Sequence, residues 1–221
     1  MWRRLLTALG VVGATVAVHE AAHAVAALRG GGTVREVGVG FGPAVLRTRI
    51  RHLSVVLRAF PLGGYAAVDA EAIPPRQRVG MLLAGPLANV ALGLPLVYAL
   101  RRQPLVPLGN EDRPVGLTGF LGTFAALFHA ADQGAGAVGR LAGAINVGLG
   151  VMNLLPVYPL DGGYIVMSLM EARGAPPLAR SAFMRLTAVV FALLVQAAVL
   201  ADLRRLTGGG PAARHPRPAL S

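Results

Sequence analysis

One stretch limits the possible folds more than any other: LLTALGVVGATVAVHEAAHAVAAL, an apolar run over residues 5–28. As a helix it is about 36 Å long at 1.5 Å per residue. About 20 apolar residues suffice to cross the hydrocarbon core of a bilayer. Arg3 and Arg4 before it imitate a signal peptide. The run is too long for a signal's apolar region and holds charged residues, so it is expected to be retained as a span. Composition agrees: 54% of residues are hydrophobic and 14% charged, against about 45–50% and 25% in soluble domains.

Three further spans are expected near 79–100, 141–163 and 182–203. The segment 117–131 is apolar but short, and reads as a surface-lying or re-entrant helix. Between the first two spans, residues 29–78 turn Gly- and Arg-rich, with alternating β-branched stretches at 34–39 and 50–57. These read as strands of a small hairpin or sheet, followed by a turn or irregular segment at PLGGY, 61–65. Residues 103–117 read as an exposed loop. The chain is expected to form one domain over 1–206, with a disordered tail at 207–221.

The third span is interrupted by NLLPVYPLDGG at 153–163. Pro156 and Pro159 cannot continue a helix. Non-helical backbone at membrane depth persists only where protein buries it or a cavity accepts it. A cavity is expected there.

The net charge of +11 comes with arginine alone, since no lysine occurs. The arginines flank the apolar runs, where they meet lipid headgroups rather than nucleic acid. Eight of them, at 29, 35, 47, 49, 51, 58, 76 and 78, favour the cytoplasm for the hairpin side. Arg3, Arg4, Arg101, Arg102, Arg113, Arg204 and Arg205 would then lie outside, so orientation stays open. With no cysteine, any metal site must use His, Asp or Glu.

Such a site is in the first span. His19 and His23 are four apart, on one face of a helix. Two imidazoles so spaced can hold one Zn²⁺, with Glu20 as general base. This composition yields the pattern by chance in on the order of one chain in 400. The rival reading is a pair of satisfied core histidines, but a carboxylate buried beside them in lipid needs a partner, which a metal supplies.

A catalytic zinc takes three protein ligands and a water. Position 29, where a third histidine of one common helical pattern would fall, is Arg29. Asp161 is the one acidic residue of the later apolar runs away from their ends, and it lies in the broken helix. Depth favours it: His19 lies about 21 Å from the start of its run, and Asp161 at most about 30 Å along the third. The ligands meet if both spans enter from one side, which four spans allow and a fifth at 117–131 would not.

Four motifs carry a family resemblance along most of the chain: HEAAH at 19–23, GFGP with FPLGGY at 40–43 and 60–65, AGPLAN at 84–89, and NLLPVYPLDGG at 153–163. The sequence resembles the site-2 protease family of intramembrane metalloproteases. Resemblance implies that His19, His23 and Asp161 bind one Zn²⁺ and that Glu20 activates water. It implies a membrane-associated β-hairpin at about 34–68, whose edge, with Gly63 and Gly64, can pair with an unwound substrate strand. Asn153 and Asn89 match polar positions of the family; each can bond substrate backbone, and Asn89 can equally glue helices together. The expected protein is a compact family member, without a PDZ or nucleotide-sensing domain, multi-pass in a bacterial cell membrane. It is expected to cut the transmembrane segment of a single-pass protein, such as an anti-sigma factor, in regulated intramembrane proteolysis. The alternatives are a membrane metal transporter or metal chaperone and a catalytically dead binding protein.

Overall fold

The structure is a computed structural model that describes residues 1–103 and 120–207. Helix α1 (Trp2–Arg29) is followed by strands β1 (Val34–Ile50) and β2 (Leu53–Val68), a 3₁₀ turn (Ala70–Ala72) and helix α2 (Pro75–Ala99). Then come α3 (Phe120–Gln133), α4 (Ala135–Asn153), α5 (Asp161–Ala172) and α6 (Pro177–Thr207). Helices α1, α2, α4 and α6 are each long and apolar enough to cross a membrane. Their large apolar side chains are widely exposed, as Leu186 at 68%, Val189 at 58% and Leu193 at 59% show on α6. Surface of this kind is stable against lipid and not against water. The protein is a multi-pass membrane protein.

Local chemistry sets the ends of these elements. Alanine, the strongest helix former, recurs along α1, and Arg29 in its last turn meets the negative end of the helix dipole. Helix α2 opens with Pro75, whose missing N–H costs nothing at a first turn. It carries Pro86 and Pro95 inside. Helix α4 stops at Asn153, just before the two prolines, and α5 restarts at Asp161 with its carboxylate in the first turn. The break at 154–160 is tied to α6 by a bond from Tyr158 N to Thr187 Oγ1 at 3.1 Å. Its Tyr158–Pro159 peptide is cis.

Two apolar clusters are stacked along α1. One joins Ala8 to Ala126, Leu127 and Ala130 of α3 and to Ala137 and Leu141 of α4. The other joins Ala24 and Ala27 to Val34 and Val37 of β1 and to Ile73, Met81 and Leu82. Between them lies a layer of buried polar side chains: Thr15, His19, Glu20, His23, Asn89 and Asn146. A polar layer at mid-membrane is expensive, and function is its usual reason.

The segment expected to lie on the surface or dip inward, 117–131, forms α3 over Phe120–Gln133 and packs its Ala126, Leu127 and Ala130 into the first cluster. It is too buried to lie on a surface. Arg3 donates to Ala131 O at 2.6 Å and Arg4 pairs with Asp132 at 2.7 Å, so α3 ends at the level where α1 begins. Helix α4 therefore starts on the same side as α1, as the ligand argument requires. The expected loop falls mostly outside the described residues, and so does the expected tail beyond residue 207.

The hairpin is longer than its sequence pattern indicates. Strand β1 pairs with β2 from Val34↔Val68 to Ile50↔Leu53, with register shifts throughout Val34 to Leu46, where Glu36, Val37, Gly38 and Val39 each face two stretches of β2, at 64–67 and at 54–57. Of the two expectations for 61–65, a turn or an irregular segment, the second holds: the stretch lies within β2 and is irregular. Gly63 absorbs the irregularity there at φ 95°, a conformation that only glycine adopts freely. Alternation is therefore lost in the sequence while the pairing Val39↔Gly64 persists.

Candidate metal centre

Helix α1 presents His19 and His23 one turn apart, and the first turn of α5 brings Asp161 to them. His19 Nε2 lies 3.0 Å from Asp161 Oδ2 and 3.1 Å from His23 Nε2. The third side, His23 Nε2 to Asp161 Oδ2, is 3.3 Å. Two bonds of about 2.0–2.1 Å at a tetrahedral angle put ligand atoms about 3.3 Å apart. The triangle thus matches a zinc site in spacing as well as in donor type. Among the described residues, one group of three or more candidate ligands gathers this closely. Both histidines are buried, with side chains 8% exposed, and Asp161 is 15% exposed.

Beyond the triangle, His23 Nδ1 faces Met81 O at 2.8 Å. A carbonyl accepts only, so this bond puts the proton on Nδ1 and leaves Nε2 as a lone pair for metal. Backbone acceptors have no sequence signature, and Met81 reads from sequence as packing. Gly85 was equally hidden, although AGPLAN contains it. A Cβ there would lie 2.4 Å from His23 Nε2 and 2.9 Å from His19 Cε1, so any side chain would enter the site.

Glu20 is 9% exposed, beside the triangle. It shares a cavity of about 610 Å³ with His19, His23 and Asp161, walled by Gly63, Gly64 and Tyr65 of β2 and by Asn153. Gly64 touches the base closely: a Cβ there would lie 2.7 Å from Glu20 Cγ and 2.7 Å from Val16. The strand can approach α1 only because that position has no side chain. Tyr65 holds the strand in place. Its hydroxyl donates to Glu36 and accepts from Arg58 Nη2 at 3.0 Å. That Tyr65 bond, with help from Ser54 and Arg47, keeps the Glu36 carboxyl below the usual carboxylate range.

Seven of the eight residues singled out in the sequence meet at this cavity. Asn89 does not. It is fully buried, with Nδ2 donating to Thr15 O at 3.4 Å, and lines no part of the cavity. A side chain without accessible surface cannot bond a substrate, so Asn89 takes the helix-joining option. Asn153 lines the cavity while donating to Leu149 O of its own helix at 3.0 Å.

Four apolar helices long enough to span a membrane, three of which (α1, α2 and α4) wall the cavity that holds the buried His–His–Asp triangle, define a multi-pass membrane protein with a candidate metal site. The chain belongs to peptidase family M50, whose family model matches residues 7–197 and so covers the whole site. It is similar to zinc metalloprotease Rip1 of Mycobacterium tuberculosis, 35% identical over 102 residues, covering 39% of this chain and 25% of that protein. A putative zinc metalloprotease of Treponema pallidum is 31% identical over 137 residues, covering 51% of this chain and 30% of the other. The chain thus spans about a quarter to a third of the length of these relatives. Among solved structures, a site-2 protease from Methanocaldococcus jannaschii aligns over 90% of this chain and 67% of its own, at TM-score 0.47 and 18% identity.

Proposed function

We propose that this protein is a zinc metalloprotease that hydrolyses a peptide bond within the membrane. The observation that carries the reading is the 3.0–3.3 Å triangle of His19, His23 and Asp161 beside Glu20, in a cavity between spanning helices. His19 and His23 offer Nε2 and Asp161 offers Oδ2. Zn²⁺ held there supplies Lewis acidity, which acidifies a water and polarises a carbonyl. Glu20 takes the proton of the attacking water on its carboxylate and hands it on to the leaving amine. Burial beside the histidines keeps that carboxylate close to the reacting atoms and away from bulk water.

The substrate is the transmembrane segment of a single-pass protein, an anti-sigma factor being one such, cut in regulated intramembrane proteolysis. A helix bonds its carbonyls internally, so the segment must unwind before attack. The backbone of β2 at Gly63 and Gly64 lies along the cavity and can pair with an extended strand, with Asn153 opposite. Residues 1–206 act as one protease unit. The metal-transporter alternative needs further ligand groups along a path, and among the described residues there is one.

The experiment is cleavage of a membrane-peptide reporter by purified protein in liposomes, with and without a zinc chelator. Zinc-dependent cleavage inside the apolar segment is expected. Zinc transport without cleavage would overturn the proposal in favour of the transporter.

A further inference from the structure

Besides the Nε atoms of Arg78, Arg140 and Arg180, three buried side-chain atoms among the described residues have no partner: His19 Nδ1, Asn89 Oδ1 and Asn146 Oδ1. Thr15 links the two asparagines, and His19 follows it by one turn of α1. Asn146 Nδ2 donates to Thr15 Oγ1 at 2.9 Å and to Ala142 O at 2.9 Å. Asn89 Nδ2 donates to Thr15 O at 3.4 Å. Thr15 lies one turn before His19 on α1, and in a helix its carbonyl is the acceptor of the His19 backbone N–H. Asn89 lies one turn after Gly85, the residue that faces both imidazoles. Helical side chains lean towards the N-terminus of their own helix, which tilts Asn89 back towards Gly85 and His19.

Donors and acceptors here are out of balance in a particular way. Asn146 Nδ2 has spent both its protons and Asn89 Nδ2 one of two, while both carbonyl oxygens remain as acceptors. With Nε2 of His19 turned to the metal triangle, the neutral ring carries its proton on Nδ1, one donor. The two carbonyl oxygens and the ring N–H are groups that a single water can join, donating to both oxygens and accepting from the ring. Buried waters typically make about three such bonds.

We propose that one buried water joins His19 Nδ1 to Asn89 Oδ1 and Asn146 Oδ1, making these asparagines positioning residues for a metal ligand. The inference rests on the reading of His19 as a ligand. Its consequence is an asymmetry between the two histidines. His23 is oriented by a backbone carbonyl, Met81 O, whereas His19 is oriented through water by side chains of α2 and α4. The packing of those two helices then tunes the metal site.

The test measures zinc affinity by chelator competition in detergent for wild type, Asp161→Ala, Asn89→Leu, Asn146→Leu and the double asparagine variant. Loss of a ligand's outer partner typically weakens a metal about 10–100-fold. Each single asparagine variant should fall in that range, and the double should lose little more than the worse single, because one water serves both. Affinities within about twofold of wild type, or losses that multiply in the double, would overturn the proposal. A role in packing alone would lower the melting temperature of the metal-free protein and leave affinity unchanged, which also overturns it. Should the leucine variants not fold, ¹⁵N-histidine NMR of the zinc-loaded wild type decides. A proton on His19 Nδ1 with a cross-peak to water is expected, and an unprotonated Nδ1 or a cross-peak to protein alone refutes the water. A wild type that holds no zinc defeats the underlying metal reading instead. Zinc held by wild type and lost in Asp161→Ala, with unaffected asparagine variants, defeats only this inference.

Discussion

Glu20 and its neighbour His19 are both buried, yet they face different partners. The imidazole joins the ligand triangle, while the Glu20 Cγ packs towards Gly64 on the strand side of the cavity. A glutamate so placed fits a base better than a ligand. Glu20→Gln keeps size and shape and removes the proton acceptor. Zinc content should stay near wild type while hydrolysis falls about 10²–10⁴-fold. Zinc analysis beside reporter cleavage checks this, and joint loss of zinc and activity would make Glu20 a ligand. Gly85 gives a converse experiment. A methyl in Gly85→Ala would press on both imidazoles, so zinc retention should drop before any effect on the base. Retention equal to wild type would show that α2 yields to the methyl. Sequence made His19, Glu20, His23 and Asp161 legible because their side chains are the chemistry. It left Gly85 and Met81 O obscure, because one acts by lacking a side chain and the other through its backbone.

At the scale of elements, the hairpin shows where pattern reading fails. Its outer part alternates plainly: Leu46, Thr48 and Ile50 share one face of β1, and Arg47 and Arg49 the other. Strand pairing there was legible. Near the site the strand carries PLGG, which offers no alternation and suggests a turn, although Val39↔Gly64 and Gly38↔Tyr65 keep it paired. Tertiary contact with α1 decides its shape, and the small residues exist to permit that contact. Gly64→Val would drive two methyls towards Glu20 and Val16. Cleavage should fall at least about tenfold while zinc stays bound, because the strand must move away from the base and the ligands need not. Unchanged cleavage would show that β2 lines the cavity without taking part. The broken helix was more legible than the strands, since two prolines leave no alternative to a break.

At the scale of the whole molecule, the site joins parts of the chain that are far apart in sequence. His19 and His23 come from α1, while Asp161 arrives 142 residues after His19, beyond the break between α4 and α5. Helices α1 and α5 meet at the triangle. Zinc held there therefore acts as a crosslink as well as a reagent. Ligand binding to the folded state stabilises it by about 2.7 kcal/mol at a hundredfold excess over Kd. For a chain of this size that corresponds to roughly 5–10 °C in Tm. Removing zinc with a chelator should lower the melting temperature of the detergent-solubilised protein by about that much. Asp161→Ala, which retains two of three ligands, should hold zinc poorly and melt at nearly the same temperature with or without chelator. Glu20→Gln should behave as wild type in this measurement, because it leaves the crosslink intact. An Asp161→Ala protein that keeps the full zinc-dependent shift would remove Asp161 from the ligand set and leave α5 held by packing alone.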